Sequence, residues 1–136
     1  MLKQKTKDIE VNGKKYRLTR MDARTGSYVA AKLALLCAPL LKDSKNGEIS
    51  EDALTQMLPA LSRRDFDEIQ TIMLKTIRQL VGPEGMESPV LKGNGDFVDE
   101  DLSYDVAAVI NLTVQAVFFN VGDFFAEAGL LKPAKA

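Results

Sequence analysis

The sequence contains no histidine and no tryptophan, and its only cysteine is Cys37. Without histidine, the chain cannot form a histidine-assisted serine or cysteine nucleophile, and it lacks the commonest zinc and iron ligand. Cys37 cannot form an internal disulfide, and its place in an apolar helical stretch predicts a buried, unreactive thiol. An enzyme built on carboxylates or lysines alone stays open, but no motif points to one. We therefore predict a protein that is not an enzyme and that has no catalytic residues, cofactor or metal.

Long apolar segments are also missing. The longest apolar run, residues 29–41, is interrupted by Lys32 and Pro39, so we predict no membrane span. The basic N-terminus is not followed by the apolar region of a secretory signal. With 46% hydrophobic and 27% charged residues in 136 positions, the composition is that of a globular protein. We predict a single domain over residues 1–136, in the cytoplasm, with flexible ends at 1–7 and 130–136.

The charges are unevenly distributed, although the net charge is only −1. Residues 1–24 contain eight Lys and Arg against three Asp and Glu, a net of +5. Residues 84–105 contain seven acidic residues and one lysine, a net of −6. Such segments can meet between subunits in self-association, or they can neutralise each other within one chain, which would give a monomer.

The first predicted element is a β-hairpin over residues 8–18. Apolar and polar residues alternate on both sides of Asn12-Gly13, a pair that readily adopts the positive φ angles of a type I′ turn. Two strands alone are marginally stable in water, so we expect the hairpin to pack on helices.

Helical periodicity then predicts about four helices. The first begins after Asp22 and runs towards Pro39, which ends or kinks it, and the second begins at Ser50. A third begins at Ser62 and continues to Leu80. The predicted fold class is therefore mainly α (α+β), with about four helices and an N-terminal β-hairpin packed on them.

Between the third and last helices, residues 82–101 are rich in glycine, proline and acidic residues. A short hairpin is predicted around Gly93-Asn94-Gly95. This stretch has neither the glycine spacing nor the lysine of a phosphate-binding loop, and turn formation explains it.

The last helix is predicted to begin near Asp101 or Ser103 and to end at Gly129. At about 100° of rotation per residue, one third of its circumference is apolar, with Phe118 at the border of this stripe. The stripe predicts core residues at Ala107, Ile110, Val114, Val117, Val121, Phe124, Phe125 and Ala128.

Leu112 and Phe119 lie outside this stripe. Either the helix is central and covered on both sides, or its second face contacts a partner. Leu130 and Leu131, which follow the predicted helix end, favour partner contact there. The candidate partner-binding residues are therefore Leu112, Phe118, Phe119, Leu130 and Leu131.

Two stretches resemble the tail assembly chaperones of long-tailed bacteriophages and prophages. They are "VNGKKYRLTRMDARTGSYVAAKLA", a hairpin leading into an alanine-rich helix, and the aromatic "NLTVQAVFFNVGDFFAE". The resemblance implies a small, mostly helical, non-enzymatic protein of the infected bacterium that is absent from the mature virion. It also implies two partners: the tape-measure protein, whose apolar segments it keeps soluble, and the tail-tube protein, recruited through a longer product of ribosomal frameshifting near Leu131-Lys132.

Two other functions stay open. A structural tail or connector subunit of the virion would have a similar sequence. A nucleic-acid-binding module is suggested by the basic N-terminus with Tyr16. It is less expected, because the sequence lacks a platform of several stacking aromatics and the rest of the chain is acidic.

Overall fold

The computed structural model describes residues 4–41, 56 and 58–122, with the backbone alone at 35–41 and 58. These residues form three α-helices, a four-stranded sheet and two short 3₁₀ helices. In chain order the elements are β1 (Thr6–Val11), β2 (Lys14–Thr19), α1 (Ala23–Leu41), a 3₁₀ helix (Leu58–Ala60), α2 (Arg63–Lys75), β3 (Ile77–Val81), β4 (Met86–Pro89), a second 3₁₀ helix (Leu102–Tyr104) and α3 (Val106–Val121).

The N-terminal hairpin is confirmed. β1 pairs antiparallel with β2, and the two turn residues both have positive φ, 52° at Asn12 and 77° at Gly13. Thr6 and Lys7, placed in a flexible end by the sequence, pair with Thr19 and Leu18.

The predicted fold class is wrong, because the hairpin is half of a four-stranded antiparallel sheet in the order β1-β2-β3-β4. The third predicted helix ends at Lys75, and Ile77–Val81 forms β3 beside β2. Met86–Pro89, in the glycine-, proline- and acid-rich stretch where only a hairpin around Gly93–Gly95 was predicted, forms β4. The local helical period at Ile77 and Leu80 was misleading because pairing with β2, some 60 residues earlier in the chain, decides the conformation of this segment.

Several local predictions agree with the structure. Asp22 caps α1 through its side chain, which accepts from the Thr25 N–H at 3.0 Å, and Ser62 caps α2 by accepting from the Asp65 N–H at 3.1 Å. A hairpin forms around Gly93–Gly95, with Leu91 bridged to Phe97. α1 does not end at Pro39 but continues to Leu41.

Other predictions lie outside the described part of the chain. These are the second predicted helix from Ser50, the buried Cys37 thiol, and the last helix from Asp123 to Gly129 with its residues Phe124, Phe125 and Ala128. Among the helices described, none is long and apolar enough to cross a membrane.

One face of the sheet is apolar and the other is charged. Tyr16, Leu18 and Ile77 are at most 1% exposed and line the face that packs against the helices. On the other face Asp8 lies opposite Arg17, whose guanidinium also contacts Glu87. This division is typical of an antiparallel sheet with one face in water.

The inner face of the sheet is covered by α3, which begins at Val106 and not at the predicted Asp101 or Ser103, because Asp105 is its N-cap. α3 contacts β1, β2, α1 and α2. The buried residues cover an arc of about 240° at 100° per residue, and they are Ala108, Leu112, Thr113, Val114, Ala116, Val117 and Val121. The central-helix alternative is therefore correct for the described part of this helix. Ala107, predicted as core, is exposed.

Hydrogen bonds hold α3 along the sheet. At its N-terminal end the Asn12 side chain donates to Asp105 Oδ2 at 2.8 Å, so the β1–β2 turn contacts the helix cap. Midway, Gln70 of α2 donates to Thr113 Oγ1 at 3.3 Å, and Thr113 is fully buried. A buried hydrogen bond of this kind favours one packing register over others, since any shift would leave polar atoms without partners.

The acidic segment contacts the basic hairpin within the chain. Lys14 Nζ lies 2.6 Å from Asp99 Oδ2 and 3.6 Å from Asp101, and Gln79 also donates to Asp99. This is the arrangement in which the two segments offset each other's charge without a second subunit.

We expect Asp99→Asn to lower the free energy of unfolding by about 1 kcal/mol at pH 7, because it weakens a partly buried ionic hydrogen bond. The hydrogen bond from Lys14 lowers the pKa of Asp99 below its ordinary 3.8. The stabilisation is therefore present above the unfolded-state pKa and is lost as the pH falls through the lower folded-state pKa. The difference between wild type and variant, measured by urea unfolding, should shrink as the pH falls below 3.8.

The matched control is Glu100→Gln, which removes an exposed carboxylate from the same segment and should leave stability nearly unchanged. A difference for Asp99→Asn that stays constant between neutral and acidic pH would contradict the role of this ion pair.

Candidate partner-binding surface

The structure separates the five residues predicted to bind a partner. Leu112 is 0% exposed at the centre of the core, which favours a packing role. Phe118 and Phe119 are half-buried near the end of α3 and pack against the core. Leu130 and Leu131 lie outside the described residues, so their contact with a partner stays a prediction.

Phe119 is covered by Arg20, which follows β2. The Arg20 guanidinium carbon lies 4.4 Å from the centre of the Phe119 ring, a cation–π distance. The same guanidinium donates from Nη1 to the Phe119 carbonyl and from Nε to the Gln4 carbonyl, both at 2.8 Å. Arg20 therefore joins the start of β1 to the C-terminal part of α3.

The next residue of α3 strengthens this connection. Asn120 Oδ1 accepts from the Met21 backbone N–H at 2.7 Å, while its Nδ2 donates to the Ala116 carbonyl at 2.9 Å. The Asn120 side chain thus forms hydrogen bonds with the backbone of α3 and with the backbone of the segment between β2 and α1. The segment between β2 and α1 is held against α3 on both sides of Phe119.

Phe118 lies at the edge of the buried side of α3, partly packed against the core and partly exposed. It falls on the same side of the helix as the exposed Ala107 and Asn111, at about 100° per residue. Its side chain lies beside Gly122, where an added Cβ would come within 3.0 Å of the ring and 2.5 Å of the Phe118 carbonyl oxygen. Phe118 is therefore a partly exposed aromatic on a rigid helix, and it is the predicted partner-binding residue best placed to contact another protein.

No sequence pattern points to Arg20 as part of this surface. Its contact with Phe119 joins residues 99 positions apart, and one more arginine in a basic segment does not stand out. No sequence pattern points to Asn120 either, because its hydrogen bond to Met21 depends on the position of the β2–α1 segment.

In the parts of the chain that the structure describes, there is no cluster of three or more histidine, cysteine or acidic side chains suited to a metal ion. The features found at this end of α3 are aromatic rings, a stacked guanidinium and hydrogen-bonded backbone groups, which hold the helix against the rest of the domain.

Comparison with known families identifies the class of protein. The model of the phage tail assembly chaperone protein (TAC) family matches residues 12–132, which is most of the chain. The chain therefore belongs to the phage tail assembly chaperone family, as the resemblance of its hairpin and its aromatic helix suggested. Comparisons with curated proteins and with solved structures gave no significant match.

We expect Gly122→Ala to lower the free energy of unfolding by about 1–3 kcal/mol, because the new methyl group overpacks the contact with Phe118. Thermal unfolding followed by circular dichroism measures the loss. Gly93→Ala is the matched control: its added Cβ meets nothing within 4 Å, so stability should stay the same or rise slightly. Equal melting temperatures for both variants would show that Gly122 is not tightly packed.

A double-mutant cycle tests the stacking of Arg20 on Phe119. Arg20→Met removes the guanidinium but keeps an apolar stem, and Phe119→Leu removes the ring but keeps an apolar side chain. We expect a coupling energy of about 0.5–1 kcal/mol from urea unfolding of the four proteins. Strict additivity of the two single changes would mean that the stacking does not contribute to stability.

Proposed function

We propose that this protein binds the tape-measure protein of its phage or prophage, keeps its apolar segments soluble, and helps to recruit tail-tube subunits during assembly. The protein acts without catalysis, cofactor or metal, in the cytoplasm of the host bacterium, and it is absent from the mature virion. The observation that carries this proposal is the family match over residues 12–132.

The arrangement of α3 supports binding of a helical client. The helix has a fully formed core side, so its stability does not depend on a partner, and it still presents the half-buried Phe118 beside exposed small and polar residues. A rigid aromatic anchor on a stable helix is a common element of protein interfaces, since little conformational entropy is lost when it binds.

Recruitment of the tail-tube protein belongs to a second, longer product in our proposal. Ribosomes would slip backwards near the codons for Leu131-Lys132 and append a further segment. The nucleotide sequence over residues 129–136 and the overlapping reading frame test this part separately. An early stop codon in the overlapping frame, or the lack of a slippery nucleotide sequence, rejects the extended form. Binding of the tape-measure protein would still be open to test.

Self-association is proposed as a weaker property. The contacts of Lys14 with Asp99 and of Arg17 with Glu87 offset part of the charge that could otherwise have joined two subunits. Light scattering at low and high salt would detect any association that depends on the remaining charge.

Co-expression provides the central test. The tape-measure protein of the same phage should be mostly insoluble alone and should become soluble and co-purify when this protein is present. Phe118→Gln should reduce the soluble amount by about tenfold if it removes an interface anchor. Asn111→Ser, on the same side of α3, is the matched control and should retain wild-type activity.

Mass spectrometry of purified particles distinguishes this function from its alternative. The protein should be missing from mature virions, whereas a tail or connector subunit would be present in fixed copy number. Its presence there, together with no effect on tape-measure solubility, would contradict the chaperone function.

A further inference from the structure

Exposed apolar side chains are concentrated at one end of the sheet. Both hairpin turns, Asn12-Gly13 and residues 82–85, lie at this end, because each joins antiparallel neighbours in a sheet of order β1-β2-β3-β4. The N-terminal end of α3 lies there too, since Asp105 accepts from Asn12. Four of the six large apolar side chains that are exposed among the described residues belong to these segments: Val81, Met86, Tyr104 and Val106.

About half or more of the surface of each of these four residues is exposed to solvent. Tyr104 is 83% and Val106 76% exposed on either side of the helix cap Asp105. Met86 is 70% and Val81 48% exposed, and they are paired across β3 and β4. We call this set the turn-end patch. Large exposed apolar side chains gathered at one end of a sheet are candidates for an interaction site.

The surroundings of the turn-end patch are acidic. Glu84 and Glu100 are exposed, and the Asp101 side chain is 89% exposed. The nearby basic side chain Lys14 is already engaged by Asp99 at 2.6 Å, and Lys15 projects from the opposite face of the sheet, across from Glu10. Lys14 also lies 3.6 Å from Asp101 and offsets part of its charge, so Glu84 and Glu100 leave the surroundings of the patch acidic. A ligand that carries positive charge next to apolar side chains complements them.

We propose that the turn-end patch binds a basic amphipathic segment of a client protein. Apolar side chains of the client would pack on Tyr104 and Val106, and its lysines or arginines would lie beside Glu100 and Asp101. This inference rests on the proposed function, because the client would be the tape-measure protein. It adds a second surface, at the opposite end of α3 from Phe118. The helix between Val106 and Phe118 spans about 18 Å at 1.5 Å per residue, so one extended client could contact both.

The probe is a labelled amphipathic peptide of about 18 residues, five helical turns, with leucines on one side and lysines on the other. A matched peptide carries glutamates in place of the lysines. Fluorescence anisotropy with the full chain at low salt should show binding of the lysine peptide and at least about tenfold weaker binding of the glutamate peptide.

Variants locate the binding. The double change Tyr104→Ser and Val106→Ser should weaken binding of the lysine peptide by about tenfold or more. These side chains are exposed, so the fold should survive, and circular dichroism checks this. Val98→Ser, at an exposed valine of the 90–98 hairpin, is the apolar control and should bind normally.

The charge contribution is tested by the pair Glu100→Gln and Asp101→Asn, which should weaken binding and reduce its dependence on salt. Asp67→Asn on α2 is the control for acidic residues elsewhere. Equal binding of both peptides, or full binding by the Tyr104 and Val106 variant, would overturn the proposal.

A second copy of this chain is the competing occupant. If light scattering shows a dimer that the Tyr104 and Val106 changes convert to a monomer, the patch is a self-association surface and the client proposal is wrong. Failure of the peptide experiment while co-expression still solubilises the tape-measure protein rejects only the patch. If the wild-type protein does not make the co-expressed tape-measure protein soluble, the proposed function itself is rejected.

Discussion

The burial of α3 is the constraint on which the other elements depend. Its buried residues cover about two thirds of the helix circumference, so one helix or one sheet alone could not shield them from water. The structure meets this requirement by placing the sheet, α1 and α2 around it. Each large side chain taken out of water, such as Leu112 or Val117, contributes about 1.5–3 kcal/mol relative to exposure. The β1–β2 hairpin covers one side of the helix, and α1 and α2 pack against others.

Polar contacts at the two ends of α3 decide how it lies on this sheet. Asp105 meets the β1–β2 turn at one end, and at the other Arg20 and Asn120 join the C-terminal part of the helix to the other end of the sheet. Apolar burial alone is non-directional and would tolerate several orientations. Hydrogen bonds with fixed partners favour one of them, since a shifted helix would leave the Phe119 carbonyl and the Met21 N–H without these partners.

The elements that could be predicted from the sequence are those set by nearby residues. The Asn12-Gly13 turn, the cap of α1 at Asp22 and the cap of α2 at Ser62 depend on one to four positions, and all three agree with the structure. Ile77–Val81 was misassigned because its apolar spacing fits a helix as well as a strand, and only its distant partner β2 distinguishes them. The candidate surface shows the same limit. The place of Phe118 at the border of the core stripe follows from its position on the helix and agrees with its half-buried state. The buried state of Leu112 and the cover of Phe119 by Arg20 depend instead on contacts far apart in the chain.

The division of apolar residues between core and surface explains how the proposed client binding could occur without aggregation. Its core is complete among the described residues, with no buried side-chain polar atom lacking a hydrogen-bond partner, so binding does not require the domain to unfold. The exposed apolar side chains at the turn end lie beside carboxylates, and like-charged surroundings oppose contact between two copies at these positions. A basic apolar client meets no such repulsion. In our proposal the carboxylates that oppose contact between two turn-end patches would also select the client, and the acidic character of residues 84–105 would serve both solubility and recognition.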